Sequence, residues 1–181
     1  MNGCEGGIVY QVSEFVNKYG LELQRHYPYL ARRDECPYSK SMASRSSGSA
    51  AMGQVRVKDQ GFGFVPIKDF AKSLAKSPLL IIVETGDNFQ EYGGGVDTPK
   101  NCGKHGKHSA LLVGHGREDG QEYWLIKNSY GLDWGQWGYY KLSKKSNSCI
   151  QPGVGARLEK FEVLERAGDR QVSRQVVERF V

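Results

Sequence analysis

Two residues that can handle protons and hydrogen bonds, His108 and Asn128, lie on neighbouring apolar stretches of this 181-residue chain. The stretches, 107–114 and 123–129, contain Val, Ile, Tyr and Trp, which favour β-strands, and Asp119-Gly120 between them is typical of a hairpin turn. Both residues are ten positions from Glu118, so a hairpin folded near that point predicts the imidazole and the amide side by side. An imidazole held in this way has a fixed tautomer and can take a proton from a nucleophile on a facing element.

Apolar spacing along the chain predicts the elements that must position this pair. In order, these are a helix over 7–20, a surface loop over 39–49, a strand over 54–58, a helix over 66–77 ended by Pro78, and a buried strand over 79–83. Strand patterns dominate from there to Leu142, and Trp137 is expected to be a core or stacking residue. The charged stretch 157–181 is expected to be a solvated tail or docking helix, with Phe161 and Leu164 on one helical face.

Composition narrows the class of protein. With 39% apolar and 11% aromatic residues, the chain can bury the core of one globular domain and is not typical of disordered sequences. No apolar run approaches the roughly 20 residues that span a bilayer, and no charged-then-apolar leader opens the sequence. Lys and Arg outnumber Asp and Glu by 25 to 20, but they form no basic stripe with an aromatic platform. Neither nucleic acid nor a membrane is therefore expected as a partner.

Five short motifs occur in an order that resembles papain-like cysteine peptidases. In chain order they are Gly3-Cys4-Glu5-Gly6-Gly7, Tyr27-Pro28-Tyr29, Tyr92-Gly93-Gly94-Gly95-Val96, His108-Ser109-Ala110-Leu111, and the run 127–135 that begins Lys127-Asn128-Ser129. The resemblance extends from Gly3 to about Cys149 and corresponds to the second part of the family's mature domain. It implies an α+β fold, mainly the antiparallel β-barrel lobe with a remnant of the helical lobe. The expected organisation is 1–50 for that remnant and the inter-lobe connection, 51–156 for the barrel lobe, and 157–181 for a charged extension.

The resemblance also implies catalytic roles. In a complete enzyme, a cysteine thiolate attacks the substrate carbonyl, the imidazolium of His108 protonates the departing amine, and Asn128 holds the ring through its side-chain oxygen. No cofactor and no metal are implied. Tyr130 stands where the family usually has a tryptophan that shields the bond between the histidine and the asparagine.

A set of substrate-binding residues follows from the same resemblance. Its members line the main-chain site, the pocket for the second residue before the cleaved bond, and an aromatic wall on the leaving-group side: Gly6, Gly7, Ile8, Val9, Ile82, Ser109 and Trp134. Ile8 and Ile82 make that pocket apolar, so a bulky aliphatic or aromatic substrate residue is expected there. The implied substrate is a polypeptide.

The four cysteines match structural half-cystines of the family, and none lies in a Cys-Gly-Ser-Cys-Trp context. The resemblance pairs Cys102 with Cys149, whereas Cys4 and Cys36 match residues whose partners belong to the segment with the nucleophile. In this chain those two cysteines would be free thiols, pair with each other, or pair with a separate chain. A lysosomal or extracellular location is expected from the family, and four half-cystines fit an oxidising compartment. We therefore expect this chain to be inactive by itself, with the nucleophilic cysteine on a missing amino-terminal segment or on a separate chain.

Two other functions are compatible with these residues. One is a papain-like protein that keeps the cleft for binding and performs no catalysis. The other, which the spacing supports less, is a zinc site formed by Cys102, His105 and His108 with His115 nearby. A disulfide between Cys102 and Cys149 would remove the sulfur ligand from that site.

Overall fold

The computed structural model describes residues 7, 11–12, 15, 28–30, 32, 55–57, 64–151, 156–157 and 161–163. The chain divides into two compact units, one formed by Met1–Gly61 with Glu159–Val181 and the other by Phe62–Leu158. In the first unit, Gln11, Val12 and Phe15 are helical, which agrees with the helix predicted over 7–20. No helix among the described residues is long and apolar enough to cross a bilayer.

Strands dominate the described part of the chain. In chain order they are β1 (Val55–Val57), β2 (Leu79–Glu84), β3 (Val96–Asp97), β4 (Lys107–Glu118), β5 (Gln121–Lys127), β6 (Tyr139–Ser143), β7 (Ala156–Arg157) and β8 (Phe161–Val163). The short helix α1 (Phe70–Leu74) follows a 3-10 turn at Ile67–Asp69, and a second 3-10 segment spans Lys144–Cys149. The predicted strand over 54–58 is present as Val55–Val57, and the predicted helix over 66–77 is present in part, as the 3-10 turn Ile67–Asp69 and the α-helix Phe70–Leu74.

The first unit contains a two-stranded antiparallel sheet in which β1 pairs with β8. Val55 lies opposite Val163, and Val57 lies opposite Phe161. The helical interpretation of Phe161 is therefore wrong, because its backbone pairs in register with β1. Tertiary pairing has overridden the helical spacing of the apolar residues in this segment.

The second unit contains a six-stranded sheet in the order β3-β6-β5-β4-β2-β7. Every neighbouring pair is antiparallel except β3 and β6, which run parallel. The hairpin of β4 and β5 closes through Asp119 and Gly120, whose φ angles are 48° and 78°. Positive φ at both turn residues matches the right-handed twist of the strands, which explains why Asp-Gly works here.

One face of this sheet forms the core. Side chains of β2 alternate in burial, with Leu79, Ile81 and Val83 buried. The neighbouring strands contribute a matching set of buried residues: Ala110, Leu112, Trp124, Ile126, Tyr140 and Leu142. The fully buried Phe70 of α1 packs edge-on against Trp124, with ring centroids 5.6 Å apart. The core thus holds β4 and β5, the strands that carry the site, in a fixed register.

Cys102 and Cys149 form a disulfide, which confirms the pairing implied by the resemblance. Cys149 is 1% exposed and ends the second 3-10 segment, and the next residue, Ile150, bridges to Val83 of β2. The bond therefore ties a loop after β3 to the buried edge of the core.

The interpretation of Trp137 as a core residue is wrong, because its side chain is 80% exposed. Trp137 and Gly138 form a two-residue turn with φ angles of 57° and 85°. The flanking residues Gln136 and Tyr139 exchange backbone hydrogen bonds of 3.0 and 3.1 Å. The turn directs the indole away from the sheet, so apolar character alone did not predict its environment.

Candidate active site

The hairpin brings the side chains of His108 and Asn128 into contact. His108 Nε2 lies 2.7 Å from Asn128 Oδ1, and both residues are half-buried. The predicted proximity of ring and amide is therefore present, while their catalytic roles remain predictions.

A β-bulge explains this contact better than the equal spacing from Glu118. The turn is centred between Asp119 and Gly120, and the pairing of β4 with β5 shifts by one residue between Leu112 and Gly114. Beyond the shift, Leu111 lies opposite Lys127, so extending the register places Asn128 opposite Ala110. Ala110 and His108 share a face of β4 because side chains alternate along a strand. Without the extra residue, Asn128 would face the other side of the sheet from the imidazole.

The hydrogen bonds of Asn128 define the tautomer of His108. The Oδ1 atom of Asn128 also accepts the backbone N–H of Ser129 at 2.8 Å, which identifies it as the carbonyl oxygen of the amide. His108 Nε2 must then donate its proton to this oxygen, and Nδ1 is left as the basic nitrogen. The backbone N–H of Asn128 donates to Gly138 O at 2.9 Å. The orienting amide is thus fixed at both its side chain and its backbone.

Aromatic side chains surround the imidazole. The ring centroid of His108 lies 5.1 Å from that of Tyr130 and 5.9 Å from that of Phe89. Phe89 is 5% exposed and also packs against Trp134 and Tyr140, at 5.2 and 5.1 Å. Two aromatic rings, those of Tyr130 and Phe89, thus lie against the imidazole. The sequence prediction missed Phe89, because its contacts are with residues distant along the chain.

An open pocket of about 480 Å³ lies beside His108. Its lining consists of one loop and four further residues: 85–91, His105, Lys107, His108 and Tyr130. Within it, Asp87 Oδ1 lies 2.7 Å from His105 Nε2, and Asp87 Oδ2 accepts the Asn101 amide at 2.7 Å. These two hydrogen bonds, first from His105 and then from Asn101, lower the pKa of Asp87 from its ordinary value. The sequence prediction missed Asp87 as well.

The structure places only some of the predicted substrate-binding residues. Ile82 and Ser109 are cross-strand neighbours on β2 and β4, on the face of the sheet opposite His108. Trp134 packs against Tyr130 and donates its indole N–H to Gln90 O at 2.9 Å. Gly7 is exposed. Four other predicted residues, Gly6, Ile8, Val9 and the half-cystine Cys4, lie outside the described residues, as does Cys36.

The three side chains considered as zinc ligands make other contacts in the structure. Cys102 is in a disulfide, His105 contacts Asp87, and His108 contacts Asn128. Among the residues that the structure describes, no group of three or more His, Cys, Asp or Glu could hold a metal ion.

Comparison with known proteins identifies the family. The model of the papain family cysteine protease matches residues 1–154. The thiol protease aleurain of Arabidopsis thaliana is 34% identical over 151 residues, which cover 81% of this chain and 40% of that protein. Pro-cathepsin H of Medicago truncatula is 35% identical over 152 residues, covering 81% and 41% of the two chains. The solved structure of bromelain protease from Ananas comosus, in complex with an inhibitor, gives a TM-score of 0.66 and 26% identity, over 86% of this chain and 67% of that one.

This chain belongs to the papain family of cysteine proteases, and its fold is of the α+β papain-like class. It spans between 40% and 45% of the length of the curated relatives it matches. Those relatives are named as cysteine and thiol proteases.

Proposed function

We propose that this chain supplies the proton-handling half of a papain-like cysteine peptidase, with His108 as the base and Asn128 as the residue that orients it. The observation that supports this most directly is the 2.7 Å contact between His108 Nε2 and Asn128 Oδ1. It leaves Nδ1 free to exchange a proton with a thiol placed on the facing side.

The proposed reaction is acyl transfer to water. Nδ1 of His108 takes the proton of a cysteine thiol, and the thiolate attacks the carbonyl carbon of a peptide bond. The tetrahedral intermediate collapses when Nδ1–H returns its proton to the departing amine, which leaves a thioester. Water then loses a proton to Nδ1 as it attacks the thioester, and the carboxylic acid and the thiol are released.

We propose that the attacking thiolate comes from outside these 181 residues, on another segment or a separate chain. Cys102 and Cys149 are joined to each other and carry no thiol. Cys4 and Cys36 match half-cystines of the family, and neither lies in the family's nucleophile motif. By itself the chain would then not cleave peptides.

The proposed substrate is a polypeptide with a bulky aliphatic or aromatic residue at the second position before the cleaved bond. This part of the proposal rests on the family resemblance of Ile8 and Ile82, because the structure places Ile82 and its cross-strand neighbour Ser109 on the face of the sheet opposite His108. A lysosomal or extracellular location is proposed with it, because the disulfide needs an oxidising compartment to form and persist.

A reconstitution experiment tests the proposal. The chain is mixed with the part of Arabidopsis aleurain that it does not match, which under this proposal carries the attacking cysteine, and hydrolysis of a fluorogenic peptide is measured. Hydrolysis is expected only in the mixture, and His108→Ala should lower the rate by about 10²- to 10⁴-fold. The control is His115→Ala, since His115 also lies on β4 but contacts Trp124. Hydrolysis that survives in the His108 variant would contradict the proposal.

A second experiment uses the natural source. A thiol-directed peptidase probe is added, and the labelled species are examined for this sequence. Co-purification of this chain with a labelled cysteine is the expected result. If no labelled species contains it and the mixture is also inactive, the papain-like binding protein becomes the better function. The pocket of about 480 Å³, formed entirely within the second unit, favours that alternative as a site needing no nucleophile.

A further inference from the structure

Asn128 and Ser129 hold the reacting atoms of a common side reaction of asparagine close together. Ser129 N lies 2.8 Å from Asn128 Oδ1. Because the carbon Cγ is bonded to that oxygen at about 1.2 Å, Cγ lies within about 4 Å of the Ser129 nitrogen. When such a nitrogen loses its proton and attacks Cγ, the side chain closes on the backbone as a five-membered succinimide. This route is one reason why asparagine counts as a thermolabile residue.

The amide nitrogen of Asn128 is the group that would leave in this reaction. Its Nδ2 atom is buried and has no hydrogen-bond partner in the described part of the chain. An unpaired buried amide group carries a desolvation cost. No hydrogen bond among the described residues therefore restrains this nitrogen as its bond to Cγ breaks.

His108 stabilises the charge that the attack develops. Its Nε2–H donates to Asn128 Oδ1 at 2.7 Å, and Oδ1 becomes an oxyanion when Cγ turns tetrahedral. A fixed donor at the position of a developing oxyanion commonly contributes about 10²- to 10³-fold to a rate. The contact that orients the imidazole therefore also activates the amide that orients it.

The backbone around Ser129 leaves room for the ring to close and for water to enter. Residues 129–133 are exposed and lie outside the strands and helices. Ser129 follows the end of β5 at Lys127, so turning its nitrogen toward Cγ breaks no ladder hydrogen bond of the sheet. The dipeptide is thus open to solvent on one side and faces the imidazole on the other.

We propose that Asn128 is a modification site, at which the chain converts its own orienting amide into a carboxylate. The deprotonated nitrogen of Ser129 attacks Cγ, and the new N–C bond replaces the bond from Cγ to Nδ2. The Nδ2 nitrogen takes up protons from the solvent and leaves as ammonia. Water then opens the succinimide at either of its carbonyl carbons, which gives aspartate or isoaspartate at position 128. In sum, an amide and a water become a carboxylic acid and ammonia.

The product changes the charge beside the imidazole. In the aspartate form a carboxylate oxygen accepts the Nε2–H of His108, and this hydrogen bond is charge-assisted. In the isoaspartate form the backbone runs through the former side-chain carbon, so the carboxylate is displaced from the ring. Under the proposed function, the group that orients the base would thus change with the age of the chain. The modification itself does not depend on that function.

Asn147 and Ser148 provide a matched control within the same chain. The dipeptide is the same, but Asn147 Oδ1 accepts the indole N–H of Trp124 at 2.8 Å. Both residues belong to the 3-10 segment Lys144–Cys149, in which Asn147 O accepts the N–H of Ile150 at 3.1 Å. Attack by Ser148 N would break these hydrogen bonds. The fold should therefore protect Asn147 and leave Asn128 reactive.

The test incubates the 181-residue chain in H₂¹⁸O at neutral pH, both folded and in guanidinium chloride. Peptide mapping by mass spectrometry follows the two asparagines, and digestion in ordinary water ensures that the isotope marks only acids formed during the incubation. In the folded chain we expect Asn128 to deamidate about tenfold or more faster than Asn147. In guanidinium chloride the two rates should be similar, because the same dipeptide then lacks the fold.

Two pairs of variants test the route. Ser129→Val should slow the reaction at Asn128, because a β-branched side chain crowds the attacking nitrogen. Ser129 is exposed, so this change does not disturb the core, and Ser148→Val is its matched control, which should leave Asn128 unaffected.

His108→Ala should slow the reaction at Asn128 by about tenfold or more, because the oxyanion loses its donor. His115→Ala, on the same strand β4, should leave the rate unchanged. Circular dichroism of each variant checks that it folds.

Equal rates at Asn128 and Asn147 in the folded chain would overturn the inference, and so would an unchanged rate at Asn128 in Ser129→Val. A faster reaction in His108→Ala would indicate a mobile loop in place of an activated amide and would also overturn it. Reconstituted hydrolysis tests the proposed function alone. Because the deamidation rates are measured without any substrate, the modification and the proposed function can each fail separately.

Discussion

The chemistry of His108 depends on which ring nitrogen carries the hydrogen. Asn128 Oδ1 accepts from both Ser129 N–H and His108 Nε2, so a single amide oxygen fixes the tautomer. The Nδ2 group of Asn128 is buried and has no hydrogen-bond partner in the described part of the chain. The amide of Asn128 therefore holds the imidazole through one atom, its oxygen. The effect of removing this amide should be measurable without an activity assay.

Replacing Asn128 with alanine should release this tautomer. We expect ¹⁵N NMR of the neutral imidazole to show a hydrogen on Nε2 of His108 in the native chain, and a mixture of both tautomers in Asn128→Ala. Asn101→Ala is the control, because the side-chain amide of Asn101 donates to Asp87. Identical ring nitrogen shifts in the native chain and in Asn128→Ala would contradict the assigned role.

Asp87 should contribute to stability in a pH-dependent way. Its pKa in the folded chain is lowered from the ordinary value of 3.8, chiefly by the hydrogen bond from His105 and then by that from Asn101. Because the pKa of Asp87 is lower in the folded chain than in the unfolded chain, the carboxylate stabilises the fold at any pH above its unfolded pKa. This stabilisation is lost as the pH falls through the pKa of the folded chain. The native chain should thus be more stable than Asp87→Asn at pH 6, and the difference should close below about pH 4.

Urea denaturation between pH 2 and 7 measures this difference. We expect it to be small, because the carboxylate is on the surface and solvent screens its contacts. Asp133→Asn serves as the control for removing one negative charge from the second unit. If the difference in free energy of unfolding between the native chain and Asp87→Asn grows as the pH falls, the pKa of Asp87 is not lowered by folding and this prediction is wrong.

At the scale of elements, the β-bulge between Leu112 and Gly114 decides which face of the sheet Asn128 occupies. The loop between β5 and β6 then holds Asn128 in place through close backbone contacts. Gly135 N donates to Tyr92 O at 3.1 Å, and a Cβ on Gly135 would lie 2.6 Å from Tyr139 O. The loop therefore has no room for a side chain at this glycine.

Gly135→Ala should destabilise the chain more than Gly131→Ala. Both glycines have left-handed φ angles, 61° and 95°, and this strain costs about 1 kcal/mol for alanine. Only at Gly135 does the new methyl also meet backbone, which adds roughly 1 to 3 kcal/mol. Gly131 has no atom within 4 Å of a built Cβ, so it is the matched control. Equal free energies of unfolding for the two variants would contradict the steric explanation.

At the scale of the molecule, the disulfide connects the loop after β3 to the end of the second 3-10 segment. Cys102 and Cys149 are separated by 47 positions, and closing a loop of that length stabilises a chain by roughly 4 kcal/mol in the chain-entropy model. We expect Cys102→Ala/Cys149→Ala to lose a free energy of unfolding of that order, measured by urea denaturation. Reductant should lower the free energy of unfolding of the native chain to that of the double variant. It should leave the free energy of unfolding of the double variant unchanged. A native chain insensitive to reductant would contradict this account.

The sequence by itself determined the hairpin, the pair of residues that meet near its ends, the strand and helix types around it, and the family. These follow from local chemistry, because Asp-Gly sets the turn and alternating apolar residues define a buried face. Short motifs such as His108-Ser109-Ala110-Leu111 carry the family signal in consecutive residues. None of this needed contacts between distant parts of the chain.

Only the tertiary structure decided the rest. The bulge that turns Asn128 toward His108, the packing of Phe89 on the imidazole and the pairing of β1 with β8 all join residues far apart in the chain. Trp137 illustrates the reason most clearly. Its apolar side chain indicated the core, but a tight turn, closed by hydrogen bonds between Gln136 and Tyr139, directs it into solvent. Side-chain type measures the preference for burial, whereas the backbone path decides which residues can satisfy it.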